Sequence, residues 1–170
     1  MTTLRSEDGP SSPALTAAQA ALAAEHAAVY GYGVLGGRVP GKRRTEANAA
    51  YDGHRARRDA LMRTVRDLGG APVAADAAYA LPFAVTDAVS AVRLAAVLED
   101  RVAGVYSDLV RATEGPARAD AAGALREAAV RAARWRGGNV VFPGLAERAA
   151  SAGPAERTGP VEAAGADGTG

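Results

Sequence analysis

The chain contains no cysteine, which removes disulfides, thiolate metal sites, iron–sulfur clusters and a cysteine nucleophile together. That absence fits a reducing compartment. Aromatic residues are only 5%, and β-branched residues never gather into the alternating runs that mark strands, so an all-α fold is expected. There are just two histidines, His26 and His54, and neither lies beside a nucleophile signature. With no Gly-x-Ser-x-Gly elbow and no phosphate loop, hydrolysis and group transfer are not expected. No stretch approaches the ~20 apolar residues that span a bilayer, because Arg, Asp or Glu interrupts every long Ala/Val/Leu segment. The polar start MTTLRSEDGPSSP lacks the basic and apolar regions of a secretory signal. A cytoplasmic location without membrane contact follows as the expectation. The formal charge of +1 offers no global attraction to nucleic acid or an anionic surface.

What the 170 residues do contain is alanine within a 48% hydrophobic content. Alanine has the highest helix propensity and lets helices approach closely. Punctuation along the chain predicts four helices. The first covers about 13–35, with Ser12 as N-cap, Pro13 in the first turn and Gly36-Gly37 at the end. The second follows the Pro40-Gly41 turn over about 42–68 and stops at Gly69-Gly70. A stretch carrying Pro72 and Pro82 then crosses to a third helix over about 86–113, capped by Thr86 or Asp87. Gly115-Pro116 opens a fourth over about 116–136. Short turns make two antiparallel hairpins, and the long stretch between them is a crossover loop. The bundle is expected within 13–150, with disordered tails at 1–12 and 151–170. Val140-Val141-Phe142-Pro143 is expected to fold back as a lid, with at most a turn of helix near Leu145 to Ala149.

Heptad placement makes the inward positions readable. The first helix presents Leu15, Ala18, Leu22, Glu25, Val29, Tyr32 and Gly36. The third presents Val85, Val89, Val92, Ala96, Glu99, Ala103, Tyr106 and Val110. Each apolar stripe is interrupted by a glutamate and followed seven residues later by a tyrosine. The second helix presents Ala47, Tyr51, His54, Arg58, Leu61, Val65 and Leu68, which brings a histidine to similar depth. His54-Arg55-Ala56-Arg57-Arg58 echoes Val130-Arg131-Ala132-Ala133-Arg134 in the fourth helix, setting Tyr51 against Glu127. Glu127 becomes the fourth candidate, although the stripe of Leu125, Ala128, Ala132 and Trp135 leaves it on the flank. His26 is about 100° round from Glu25 and is expected on a flank or at the surface. Trp135 reads as a packing plug at the bundle end.

In architecture and positions the chain resembles the ferritin-like superfamily, whose dinuclear sites take one Glu from each of two helices and a Glu-x-x-His from each of the others. More narrowly, Ala24-Glu25-His26-Ala27-Ala28, Ala80-Leu81-Pro82-Phe83 and Arg131-Ala132-Ala133-Arg134-Trp135 are similar to a bacterial ferritin-like family known as domain of unknown function 4439. The resemblance covers about 13–146 and implies a four-helix bundle without an established activity. It sets Tyr51 where a bridging carboxylate would stand and Val130 where a second histidine would stand, which implies a degenerate di-iron site.

Buried carboxylates persist only when they share protons, pair with cations or bind a metal. Two readings follow. In the first, no cofactor is present and Glu25, His54, Glu99 and Glu127 join a buried network with Arg58, Arg131 or Arg134 and the hydroxyls of Tyr32, Tyr51 and Tyr106. In the second, Glu25, His54, Glu99 and Glu127 hold one iron, manganese or zinc ion, with oxidase or metal-sequestering activity. The first makes the protein a module acting through an unidentified small ligand, a protein partner, or self-association of alanine-rich faces into a homodimer. The basic second helix is not read as a nucleic-acid face, because Arg55, Asp59, Arg63 and Asp67 alternate in sign at steps of four, the pattern of an exposed ion-paired face.

Overall fold

The structure, a computed structural model, describes residues 12–137. The tails, the expected lid at 140–143 and the turn near 145–149 lie outside the described residues. Four helices carry the fold: α1 (Pro13–Gly36), α2 (Gly41–Asp67), α3 (Ala88–Ala112) and α4 (Gly115–Arg136). The protein is an all-α four-helix bundle.

The ends fall where local chemistry places them. The Ser12 side chain accepts from the Leu15 amide at 3.1 Å, with Pro13 in the first turn. Asp87 caps α3 through a capping box with Ser90, satisfying donors that the first turn leaves free. At the end of α4, Gly137 adopts φ 74°, the left-handed conformation that glycine enters without steric cost.

The crossover between α2 and α3 is strapped along α1. Gln19 donates to the Ala71 carbonyl at 2.6 Å and accepts from the Val73 amide at 2.9 Å. His26 Nε2 lies 3.2 Å from the Val73 carbonyl, which can only accept, so this nitrogen carries the proton. The flank position expected for His26 is therefore a buried one. Farther along, the Tyr79 ring meets Tyr30 at 5.5 Å between centroids.

Helix α1 packs on both α2 and α3, and α3 packs on α4, whereas α2 and α4 are linked mainly by long side chains, Arg43 reaching the Arg134 carbonyl and Arg57 reaching Glu127. The apolar interior has two parts. One gathers Leu22, Leu61, Val65, Val102 and Leu109 with alanines of α1 and α4. The other gathers Leu35, Val39, Leu94, Leu98 and Trp135. Between them lies a layer in which Glu25, His54 and Glu99 have no solvent exposure.

The heptad register holds at Leu22, Glu25, His54, Leu61, Glu99 and Tyr106, while the expected inward Val29, Tyr51 and Arg58 are only half-buried. Val89 is 79% exposed, because two residues from buried Ala91 it is turned about 200° round the helix. Leu68, the last expected inward position of α2, is also exposed. Helix α3 buries Leu94, Leu98, Val102 and Leu109 beside the expected Ala96, Glu99, Ala103 and Tyr106. Contact with α1 on one side and α4 on the other needs a wider apolar face than a two-position seam.

Candidate functional site

His54, in the middle of α2, spans the bundle axis. Its Nδ1 lies 2.7 Å from Glu25 Oε2 and its Nε2 lies 3.1 Å from Glu99 Oε1. Each ring nitrogen faces a carboxylate oxygen, an arrangement that suits an imidazolium donating from both. Burial opposes that charge, but hydrogen bonds to Glu25 and then Glu99, with the charges of both, raise the His54 pKa to about 9.

The tyrosines complete a crossed arrangement. Tyr106 of α3 donates to Glu25 Oε1 of α1 at 2.7 Å, and Tyr32 of α1 donates to Glu99 Oε1 of α3 at 2.6 Å. This pairing explains the seven-residue Glu-to-Tyr spacing on both helices. α1 and α3 run antiparallel, so each glutamate lies beside the tyrosine of the other helix. Burial raises both phenol pKa values, and the neighbouring glutamate charges and hydrogen bonds add to it. Both hydroxyls therefore stay protonated as donors. Trp135 is more than a plug, since its buried Nε1–H donates to the Tyr32 oxygen at 2.9 Å.

Of the three arginines expected as counter-charge, only Arg131 arrives. Its Nε donates to Glu99 Oε1 at 2.7 Å. Burial raises the Glu99 pKa, but the hydrogen bond and charge of His54, followed by the charge and hydrogen bond of Arg131, outweigh it and hold the value below normal. The layer thus contains two carboxylates, an imidazolium and a guanidinium, a balanced set. Glu99 Oε1 takes three donors, while its Oε2 is buried without a partner among the described residues.

The remaining candidates stand apart. Arg58 is half-buried and bonds its neighbour Asp59, so Asp59 is engaged within α2 by the adjacent residue, and Arg55 lies 5.7 Å from the centre of the Tyr51 ring. Tyr51 is half-buried and gives no hydroxyl to the centre. Arg134 is exposed. Glu127 is half exposed at the flank, bonded by Arg57 at 2.6 Å, and this hydrogen bond holds its carboxyl below the normal range. The Arg57 pairing was missed in the sequence. Arg57 and Arg58 lie about 60° and 40° to either side of the His54 line, and Glu127 lies on the Arg57 side.

The dinuclear metal centre implied by the resemblance does not fit these residues. Tyr51 and Val130 stand where the resemblance would set two ligands, Glu127 is bonded to Arg57, and Glu99 is bonded to Arg131. Both nitrogens of His54 lie against carboxylate oxygens, so an ion would have to displace a ring proton before His54 could ligate it. Among the described residues no three His, Asp or Glu side chains are arranged to hold a metal ion, and no helix is long and apolar enough to cross a membrane.

No curated protein matches this chain. Among solved structures, it is similar to a conserved hypothetical protein, rv2844, from Mycobacterium tuberculosis, at 35% identity and a TM-score of 0.70, over 73% of this chain and 95% of that one. The family model described as Domain of unknown function (DUF4439) matches residues 17–147. The chain, with its buried His54 layer inside the matched region, belongs to that family.

Proposed function

We propose that this protein is a metal-independent binding module of ferritin-like plan, whose charged centre holds four helices in register and performs no redox chemistry. The single observation that carries this reading is the His54 ring bonded through both nitrogens to Glu25 and Glu99. An imidazolium there supplies the positive charge that an ion would bring, and Arg131 supplies the second. A four-membered balanced set of buried charges costs desolvation but favours one helix register over others, because any shift leaves a charge unpaired.

Its test is metal analysis and oxygen uptake. Protein purified from iron-, manganese- and zinc-supplemented medium is expected to carry far less than one ion per chain. Added ferrous iron should raise oxygen consumption no further than it does in buffer. Stoichiometric iron with oxygen consumption would overturn the reading.

A second reading is favoured by the bare Glu99 Oε2. In it His54 loses its proton, turns from one carboxylate, and shares a single divalent ion with Glu25 and Glu99. Metal content of His54→Ala beside the parent separates the two, since only the second reading predicts metal in the parent that the variant loses.

A further inference from the structure

Among the described residues the seam between α2 and α4 leaves a cleft of about 450 Å³, in the size range of small-molecule sites. Alanines make it. Ala49 and Ala50 face it from α2 and leave space that larger side chains would close. Val130 and the largely buried Trp135, whose ring carries the Arg43 guanidinium at 4.9 Å, form its wall on α4. Val130 is 44% exposed, apolar surface that a ligand's apolar body would cover.

The mouth is cationic. Arg43, Arg126, Arg131 and Arg134 line it against Glu46 and Glu127. Both acids are already engaged: Glu46 by Arg43 at 3.0 Å, and Glu127 by Arg57 from outside the cleft. Arg126 and Arg134 make no ion pair among the described residues. Arg131 uses Nε on Glu99, while its Nη1 is 3.7 Å from Glu127, leaving donors toward the cleft. Guanidinium forks match carboxylate and phosphate oxygens in pairs. A cationic mouth over an apolar wall suits a molecule with an anionic head and an apolar body.

We infer that the α2–α4 cleft binds a small amphipathic organic anion, its carboxylate or phosphate head on Arg126, Arg131 and Arg134 and its apolar body against Val130 and Trp135. This names the ligand site of the binding module proposed above and rests on that reading. Metal content and oxygen uptake decide the module; ligand titrations decide the cleft.

Trp135 is the sole tryptophan, so its fluorescence reports on the cleft directly. The full chain is titrated with octanoate, octyl phosphate, octanol and inorganic phosphate, with calorimetry alongside. Saturable binding is expected for the two amphipathic anions, with octanol and inorganic phosphate each weaker by about tenfold or more. The double variant Arg126→Ala/Arg134→Ala should keep the parent melting temperature and bind octanoate about tenfold more weakly. Val130→Asn should weaken octanoate and leave inorganic phosphate unchanged. Octanol binding as tightly as octanoate would overturn the inference, as would parental affinity in the double variant. So would no saturable response to either anion, or binding to phosphatidylglycerol vesicles without binding to free octyl phosphate.

Discussion

Replacing His54 with alanine removes a cation from between two carboxylates that have no contact with solvent. Breaking a buried ion pair by deleting one partner costs about 3–5 kcal/mol, because the charge left behind is uncompensated. The rise of the His54 pKa from 6.5 to about 9 is equivalent to roughly 3 kcal/mol of preference for the charged ring in the folded state. The two figures agree. At about 3 °C per kcal/mol for a chain of this size, thermal unfolding followed by circular dichroism at pH 7 should show a fall of about 10–15 °C. The second variant separates charge from lost packing. In His54→Ala/Glu25→Gln the carboxylate left without its cation is gone, Glu99 keeps Arg131, and the amide oxygen still accepts from Tyr106, so about 1–2 kcal/mol should return. A fall of less than about 3 °C in the single variant would refute the charge-balanced centre. So would a double variant no more stable than the single one.

Stability should also depend on pH in a stated direction. The folded His54 pKa is raised, so its contribution is complete below about 6.5 and is lost as pH rises through about 9. Glu99 is lowered in the folded state, so its contribution is present above the ordinary carboxylate range and is lost as pH falls through the folded value. Denaturant midpoints across pH should peak between these limits, and His54→Ala should abolish the alkaline loss. Tyr32→Phe removes a buried donor to Glu99 and the acceptor of the Trp135 indole; a cost of about 1–3 kcal/mol and altered Trp135 emission are expected. Gly33→Ala meets nothing within 4 Å, while a Cβ at Gly31 would come 2.5 Å from Leu98 Cδ1. Chemical denaturation should show Gly33→Ala stabilising by about 1 kcal/mol and Gly31→Ala falling short of that. Sedimentation at micromolar and higher concentrations checks self-association; a concentration-independent monomer would leave the alanine-rich faces without a homodimer role.

Local chemistry determined the helices of this protein. Ser12, Asp87, Gly115-Pro116 and Gly137 act within a few residues of themselves, so their consequences are readable without a fold. Periodicity also determined that Glu25, His54 and Glu99 lie inward, since an acid or imidazole in an apolar stripe has no other face to occupy. What only the tertiary structure decided was partnership. A heptad position gives a helix face to within tens of degrees, and long side chains reach several ångströms beyond it. Arg131 instead of Arg58 or Arg134, the flank pairing of Glu127 with Arg57, and the burial of His26 all depended on which neighbour each helix met. The crossed Glu–Tyr pairs needed α1 and α3 antiparallel and in contact. The cleft needed α2 and α4 to stand apart, a spacing set by the packing of four helices together and carried by none of them alone.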